Sequence, residues 1–253
     1  MPDQNITARP QRIARLAAVM GSILSVPAHA GPPFVTDDPE PAEYRKWEVN
    51  YAISGTRNLG QPFTPLPQID INYGAAPGLQ LHVQPQMSHL STQEGVRDYV
   101  LSGTELGVKY VLAESESWMA SLYPLYELPI GNNANVGIGS PSLYLPIWLQ
   151  TAKDRWTFFG GGGYWINSGS GNRNAWAGGV AALYQFTTTL QLGAELFGNT
   201  PAVIGNNNSL GFNVGGYYRL AKDYTLLFST GRGLVNAPAA NQTSLYLGIQ
   251  VLY

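Results

Sequence analysis

Large apolar residues stand at every second position through most of this chain. In Leu245-Tyr246-Leu247-Gly248-Ile249-Gln250-Val251-Leu252-Tyr253 the odd positions are all large and apolar, with Gly248 and Gln250 among those between them. The same period carries Trp47, Val49, Tyr51 and Ile53, then Leu143, Leu145, Ile147 and Leu149, then Tyr224, Leu226 and Phe228. A period of two marks β-strands whose faces differ. Twelve such segments are expected, near 44–54, 68–74, 79–90, 100–113, 117–129, 142–152, 156–167, 174–187, 190–198, 209–221, 224–234 and 243–253. Most reach the nine to eleven residues or so that a tilted membrane-crossing strand needs.

The connections alternate. Ala76-Pro77-Gly78, Glu114-Ser115-Glu116, Lys153-Asp154-Arg155, Thr188 and Ala221-Lys222-Asp223 are tight turns. Between them fall longer connectors at 55–67, 91–99, 130–141, 168–173, 199–208 and 235–242, rich in Gly, Asn, Ser and Pro. Short turns at one end and long loops at the other, with an even strand number, characterise outer-membrane barrels. The fold expected is therefore all-β: a single antiparallel up-and-down transmembrane β-barrel of about twelve strands. A chain ending on an apolar strand must hide both its edge and its face, and closure inside a membrane does both.

The N-terminus fits an exported protein. Arg9, Arg12 and Arg15 precede an apolar run from Leu16 through Val26, and Ala28-His29-Ala30 supplies a small-residue cleavage site. That pattern reads as a signal peptide over 1–30, too short to span a membrane. A leader at 31–43 follows, too rich in proline for helix or central strand, and the barrel occupies 44–253. Export by the general secretory route to the bacterial outer membrane is the expectation, with outer-membrane lipid and the barrel-insertion machinery as partners.

Composition narrows the chemistry. The chain has no cysteine, which excludes disulfide staples, thiolate metal sites and a cysteine nucleophile. Its net charge of -2 gives no footprint for nucleic acid. Charged residues make up 12%, against about 25% in soluble domains, so the polar strand face is too sparse for a solvent-facing wall and suits a confined lumen. Parity places Glu48, Asp70, His82, Glu105, Lys109, Glu127, Glu195 and Arg219 on that inner face. Aromatic residues at strand ends, among them Trp47, Tyr73, Trp118, Trp156, Trp176, Tyr224 and Tyr253, suit interfacial girdles.

Pro85, Pro124 and Pro146 fall inside expected strands and predict bulges or ladder breaks, since each lacks an amide donor. The run Gly160-Gly161-Gly162-Gly163 either lets the backbone curve or admits an inward aromatic such as Tyr144 or Trp148. It lacks the lysine and helix of a phosphate loop. His82 and His89 lie at an odd separation on one strand, so they cannot share a metal. His89-Leu90-Ser91 is the only raw material for an outer-membrane hydrolase, and no catalytic, cofactor or metal residues are assigned. Asp37-Asp38-Pro39-Glu40 offers oxygen ligands without the spacing of a calcium loop.

Several blocks resemble a known family. They are the leader Gly31 to Pro41, Thr104-Glu105-Leu106-Gly107-Val108-Lys109-Tyr110, and Leu145-Pro146-Ile147-Trp148-Leu149-Gln150. Gly160 to Asn167 and Leu226 to Gly233 complete the set. Together they resemble the outer-membrane transporter family named for the meta-cleavage (MetA) pathway of phenol degradation. The resemblance covers essentially the whole mature chain and implies an outer-membrane barrel with a transport role, sometimes encoded near genes for aromatic degradation. It brings no catalytic residues.

The function expected is passive or facilitated passage of small solutes, hydrophobic or aromatic ones among them. The alternatives are an outer-membrane hydrolase and a structural or adhesive barrel without an open pore. The leader is expected to fold back as a plug, with Phe34 among inward aromatics and Asp37 and Asp38 near Lys109 or Arg219; a disordered tether is the other reading. Acidic excess in the lumen is expected to favour cations and neutral solutes over anions.

Overall fold

A computed structural model describes residues 32–57, 63–91, 97–130, 140–236 and 243–253. The expected signal peptide lies outside the described residues. The strands are β1 (Trp47–Arg57), β2 (Leu66–Ala76), β3 (Leu79–Ser91), β4 (Arg97–Glu114), β5 (Trp118–Leu122), β6 (Leu125–Pro129) and β7 (Ser142–Lys153). They continue as β8 (Trp156–Asn167), β9 (Ala175–Gln185), β10 (Leu190–Asn199), β11 (Ser209–Ala221), β12 (Tyr224–Val235) and β13 (Thr243–Leu252). Apart from β5 and β6, which do not pair with each other, sequence neighbours pair antiparallel, and β1 pairs with β13 from Glu48 opposite Leu252 to Arg57 opposite Thr243. The sheet closes on itself. Segments β5 and β6 both lie between β4 and β7 and form two halves of one wall strand, so the described segments make a barrel of twelve staves.

The break between those halves has a visible cause. Tyr123 and Pro124 leave the ladder, and Pro146 of β7 lies beside the gap, its carbonyl accepting from Tyr123 N at 3.2 Å. The donor that Pro146 lacks would point the same way, so the two prolines confine their missing bonds to one place. Pro124 itself accepts from Val108 N at 3.1 Å. Pro85 stays in the ladder opposite Thr104, and the register shifts one residue later, between Gln86 and Met87. The second strand is longer than its sequence pattern suggests, because Leu66, Pro67 and the Gly74–Ala76 end pair without alternating strongly.

Alternation governs the wall. In β7, Ser142, Tyr144, Pro146, Trp148 and Gln150 are buried inward, while Leu145, Ile147 and Leu149 are exposed outward. Val180, Leu196, Val214, Leu247 and Ile249 continue the exposed apolar exterior. Such a surface is stable only against lipid or another apolar phase. Exterior aromatics pair near both rims: Trp47 with Tyr73 at 4.5 Å and Trp156 with Tyr184 at 4.9 Å at the short-turn end, and Tyr164 with Trp176 at 4.9 Å toward the long-loop end. The glycine run of β8 makes room on both faces. A Cβ on Gly161 would stand 2.0 Å from the Ile147 carbonyl oxygen and 3.0 Å from Trp148, whose inward indole lies across it.

An arginine replacing outward Leu149 would be held in the hydrocarbon band and should destabilise the barrel in a bilayer by about 2–4 kcal/mol. Replacing inward Gln150 by Arg should cost far less of the barrel's own stability. Denaturant titration in lipid vesicles separates the two, and equal losses would contradict the assignment of faces.

Candidate functional site

The chain's own leader lies against inward-facing side chains of the barrel. Residues 32–43 enter from the short-turn end, and Phe34 inserts among Phe159, Ala181, Leu183, Tyr217 and Leu227. Its ring centroid lies 6.4 Å from Phe159 and 6.3 Å from Tyr217, in tilted arrangements. Those five wall side chains share the inward parity of Glu195 and Asn213, yet they are apolar; parity alone could have placed them on the lumen. Two glycines of the wall accommodate the leader. A Cβ on Gly179 would come within 2.2 Å of the Thr36 hydroxyl, and one on Gly74 within 1.9 Å of the Glu43 carbonyl oxygen.

Polar side chains then clamp the leader's backbone. Glu195, only 2% exposed, accepts from Val35 N at 2.8 Å, Thr36 N at 2.7 Å and Asn213 Nδ2 at 2.6 Å. Three donors on one buried carboxylate offset much of its desolvation. Ser229 donates to the Pro33 carbonyl at 2.5 Å and Ser121 to the Pro39 carbonyl at 2.5 Å, while Gln150 donates to the Glu40 carboxyl. Proline carbonyls keep their acceptor capacity, so a proline-rich segment can still be held by donors.

Lys109 lies 3.1 Å from Asp37 and 3.4 Å from Asp38, with the Tyr123 ring centroid 4.7 Å from its Nζ. Glu105 shares its strand and Glu127 lies on the neighbouring one. The leader brings carboxyls closer, and Glu105 is drawn instead to His82. Arg219 sits near the short-turn end of β11, half-buried, its amide donating to the Thr189 carbonyl.

A second polar network occupies the β1–β4 side. His82 Nδ1 is 3.0 Å from Asp70 and 2.9 Å from Asn72, and Nε2 is 3.1 Å from Glu105. Asn50 and Asn72 donate to Asp70, Gln80 donates to Asn72, and Gln80 Oε1 accepts from leader Ala42 N at 2.7 Å. Hydrogen bonds thus run from the leader's root to the histidine. Glu127 accepts from Ser142 at 2.5 Å, and half-buried Glu48 lies on β1 near the short-turn end. The described residues contain no group of three or more histidine and carboxylate side chains placed to hold a metal ion. His89 and Ser91 fall where side chains lie outside the described residues.

Two cavities flank the leader's tip, and Val35 and Asp37 line both. One, about 490 Å³, is walled by Leu125, Tyr144, Trp148, Trp165 and Phe197, with Glu127 at its edge. The other, about 450 Å³, is bounded by Gln68, Asp70, His82, Gln84 and Glu105. An aromatic half and an acidic, amide-rich half therefore share one vestibule beside the leader.

The leader's own carboxyls respond to burial. Burial pushes Asp38 well above the usual carboxylate range, against the opposing pull of Lys109, and burial likewise raises Glu40 against its bond from Gln150. A raised carboxyl pKa means that the docked leader holds protons the free leader releases. Docking is then strongest in acid and weakens as pH rises through the shifted values. Limited proteolysis of the leader should be slower near about pH 5 than near about pH 8, and the reverse order would contradict this. Glu195→Gln removes the charge from two backbone hydrogen bonds and should weaken docking by about 1.5–3 kcal/mol, roughly 10- to 100-fold in leader exposure.

No family model matches the chain, and no curated protein matches it. Solved structures do. An outer membrane channel from Pseudomonas putida F1 is similar over 85% of this chain and 99% of its own, with 15% identity and a TM-score of 0.61. The KdgM porin is similar over 81% of this chain and 98% of its own, with 14% identity and a TM-score of 0.58. An outer membrane phospholipase A from Escherichia coli is similar over 80% of this chain and 92% of its own, with 13% identity and a TM-score of 0.50. At such identities the likeness is one of fold: this chain has the architecture of outer-membrane β-barrels.

Proposed function

We propose that this protein is an outer-membrane channel for passive or facilitated passage of small solutes, with its leader as the constriction. One observation carries the reading. A segment of the chain is docked among inward wall side chains, and two cavities border its tip. Displacing the leader's hydrogen bonds and its one inserted aromatic side chain would join those spaces to the opposite mouth. In this orientation the short turns face the periplasm and the long loops the exterior. The sequence blocks that resemble the meta-cleavage phenol-degradation family support the same role, as does the likeness in fold to a channel and a porin. Export through the general secretory route and assembly by the barrel-insertion machinery belong to this proposal. Hydrophobic and aromatic solutes are included because Tyr144, Trp148, Trp165 and Phe197 line one of the two cavities.

The hydrolase alternative draws on the phospholipase likeness in fold alone. Both His82 ring nitrogens are occupied by Asp70, Asn72 and Glu105 rather than by a serine hydroxyl, so that histidine is not set as the base of a serine nucleophile.

Deleting residues 31–41 should raise single-channel conductance in planar bilayers severalfold while the barrel still folds. Unchanged current through a folded barrel would favour the structural reading without a pore. Reversal potentials in a salt gradient should show cation preference, reduced when Glu105 and Glu127 are both changed to Gln. Glu195 is unsuitable for that test because it holds the leader. An anion-selective wild type would contradict the proposed role of lumenal charge.

A further inference from the structure

The aromatic cavity has a composition that passage alone does not require. Tyr144 and Trp165 are stacked at 4.5 Å with ring planes 8° apart, and the Tyr144 hydroxyl is fixed by donating to the Ala177 carbonyl at 2.9 Å. Trp148 and Phe197 extend the apolar wall. Two carboxylate side chains, Glu127 and Asp37, line the same space, and among the described residues its lining contains no lysine, arginine or histidine. Glu127 is held by neutral donors, Ser142 and Gln86, which orient the carboxylate without neutralising its charge. Asp37 faces Lys109 at 3.1 Å, so Glu127 is the acid there whose recorded partners are all neutral.

Aromatic faces carry negative quadrupoles, and a cation between such faces and a carboxylate is favoured twice over. A neutral apolar solute would gain from the rings alone, and an anion would meet repulsion from both components. At about 490 Å³ the cavity also falls within the usual range for small-molecule sites, about 300–1,000 Å³. Resting on the channel reading above, we infer that this cavity is a binding site for small organic cations with an aromatic or apolar body, of the arylalkylamine kind. The ammonium is directed to Glu127 and the body lies against Tyr144, Trp148 and Trp165. The site stands beside Val35 and Asp37, so an occupant would touch the leader's tip before passing it.

The test uses the full-length folded protein in detergent and three probes of one shape: 2-phenylethylamine, 2-phenylethanol and 3-phenylpropionate. Calorimetric titration at neutral pH should give the amine at least tenfold tighter binding than the alcohol, with the carboxylate weakest. Glu127→Gln should bring the amine to the level of the alcohol, while Trp165→Leu should weaken amine and alcohol together. Both variants are first checked for heat-modifiable migration, the mark of an intact barrel. Equal binding of amine and alcohol to the wild type, or an amine preference that survives Glu127→Gln in a folded barrel, overturns the inference. Salt conductance of the same preparations keeps the two claims apart. A conducting channel with no amine preference defeats this site and leaves the passage reading standing. Amine preference in a barrel that conducts neither with nor without its leader supports the site and defeats passage.

Discussion

Closure of the backbone ladder is the constraint on which everything else depends. In an apolar phase each unpaired amide or carbonyl costs several kcal/mol, so a sheet can survive there only without edges. The pairing of β1 with β13 along ten residue pairs removes the last two edges. Once that is fixed, every proline in the wall becomes a problem of placement. The chain puts Pro124 and Pro146 side by side, so the missing donors of two neighbouring strands fall at a single interruption between β5 and β6. The exterior must then be apolar, and polar side chains are sent inward by the two-residue period.

A closed wall creates an inside that has to be satisfied in turn. Water could do it, but here a proline-rich segment does much of the work. Phe34 takes up the apolar sector formed by Phe159, Leu183, Tyr217 and Leu227. Glu195, Lys109, Ser121, Gln150 and Ser229 meet its backbone and carboxyls. Such a clamp is held by many individually modest bonds, each of which water can replace. That is the energetic profile of a segment able to leave, unlike a wall strand whose departure would open the ladder. On the proposed function, the link from packing to function lies in this contrast: a permanent barrel and a conditional obstruction.

Much of the wall was legible in the sequence. Segments 156–167 and 209–221 agree with β8 and β11 residue for residue, because Trp156 and Ser209 begin clean alternation beside turn residues. The twelve staves followed from counting turns, even though the fifth is split. Less legible was what the inward residues do to one another. Parity says that Lys109 faces the lumen, and the leader's acidic residues suggest Lys109 or Arg219 as partners; the pattern does not choose between the two, and Asp37, 72 residues away, lies against Lys109. It marks Tyr217 and Leu227 as inward, but only the docked Phe34 explains why they are apolar. Parity gives the charged positions of the lumen but not which of them meet, and Asp70, His82 and Glu105 form one hydrogen-bonded group. Cross-lumen partnership depends on barrel diameter and strand tilt, and a one-dimensional pattern carries neither.

The central claim is that the leader sits inside the wall and closes it. The chain has no cysteine, so a single introduced pair can be read without interference. Thr36→Cys with Gly179→Cys uses the place where the leader's side chain meets a wall position lacking a Cβ. The pair should form a disulfide in the membrane-inserted protein and hold the channel at its lowest conductance, with the brief openings of a leader able to leave returning on addition of reductant. Failure of the pair to oxidise in a folded barrel, or a current indifferent to reductant after verified oxidation, would contradict the account.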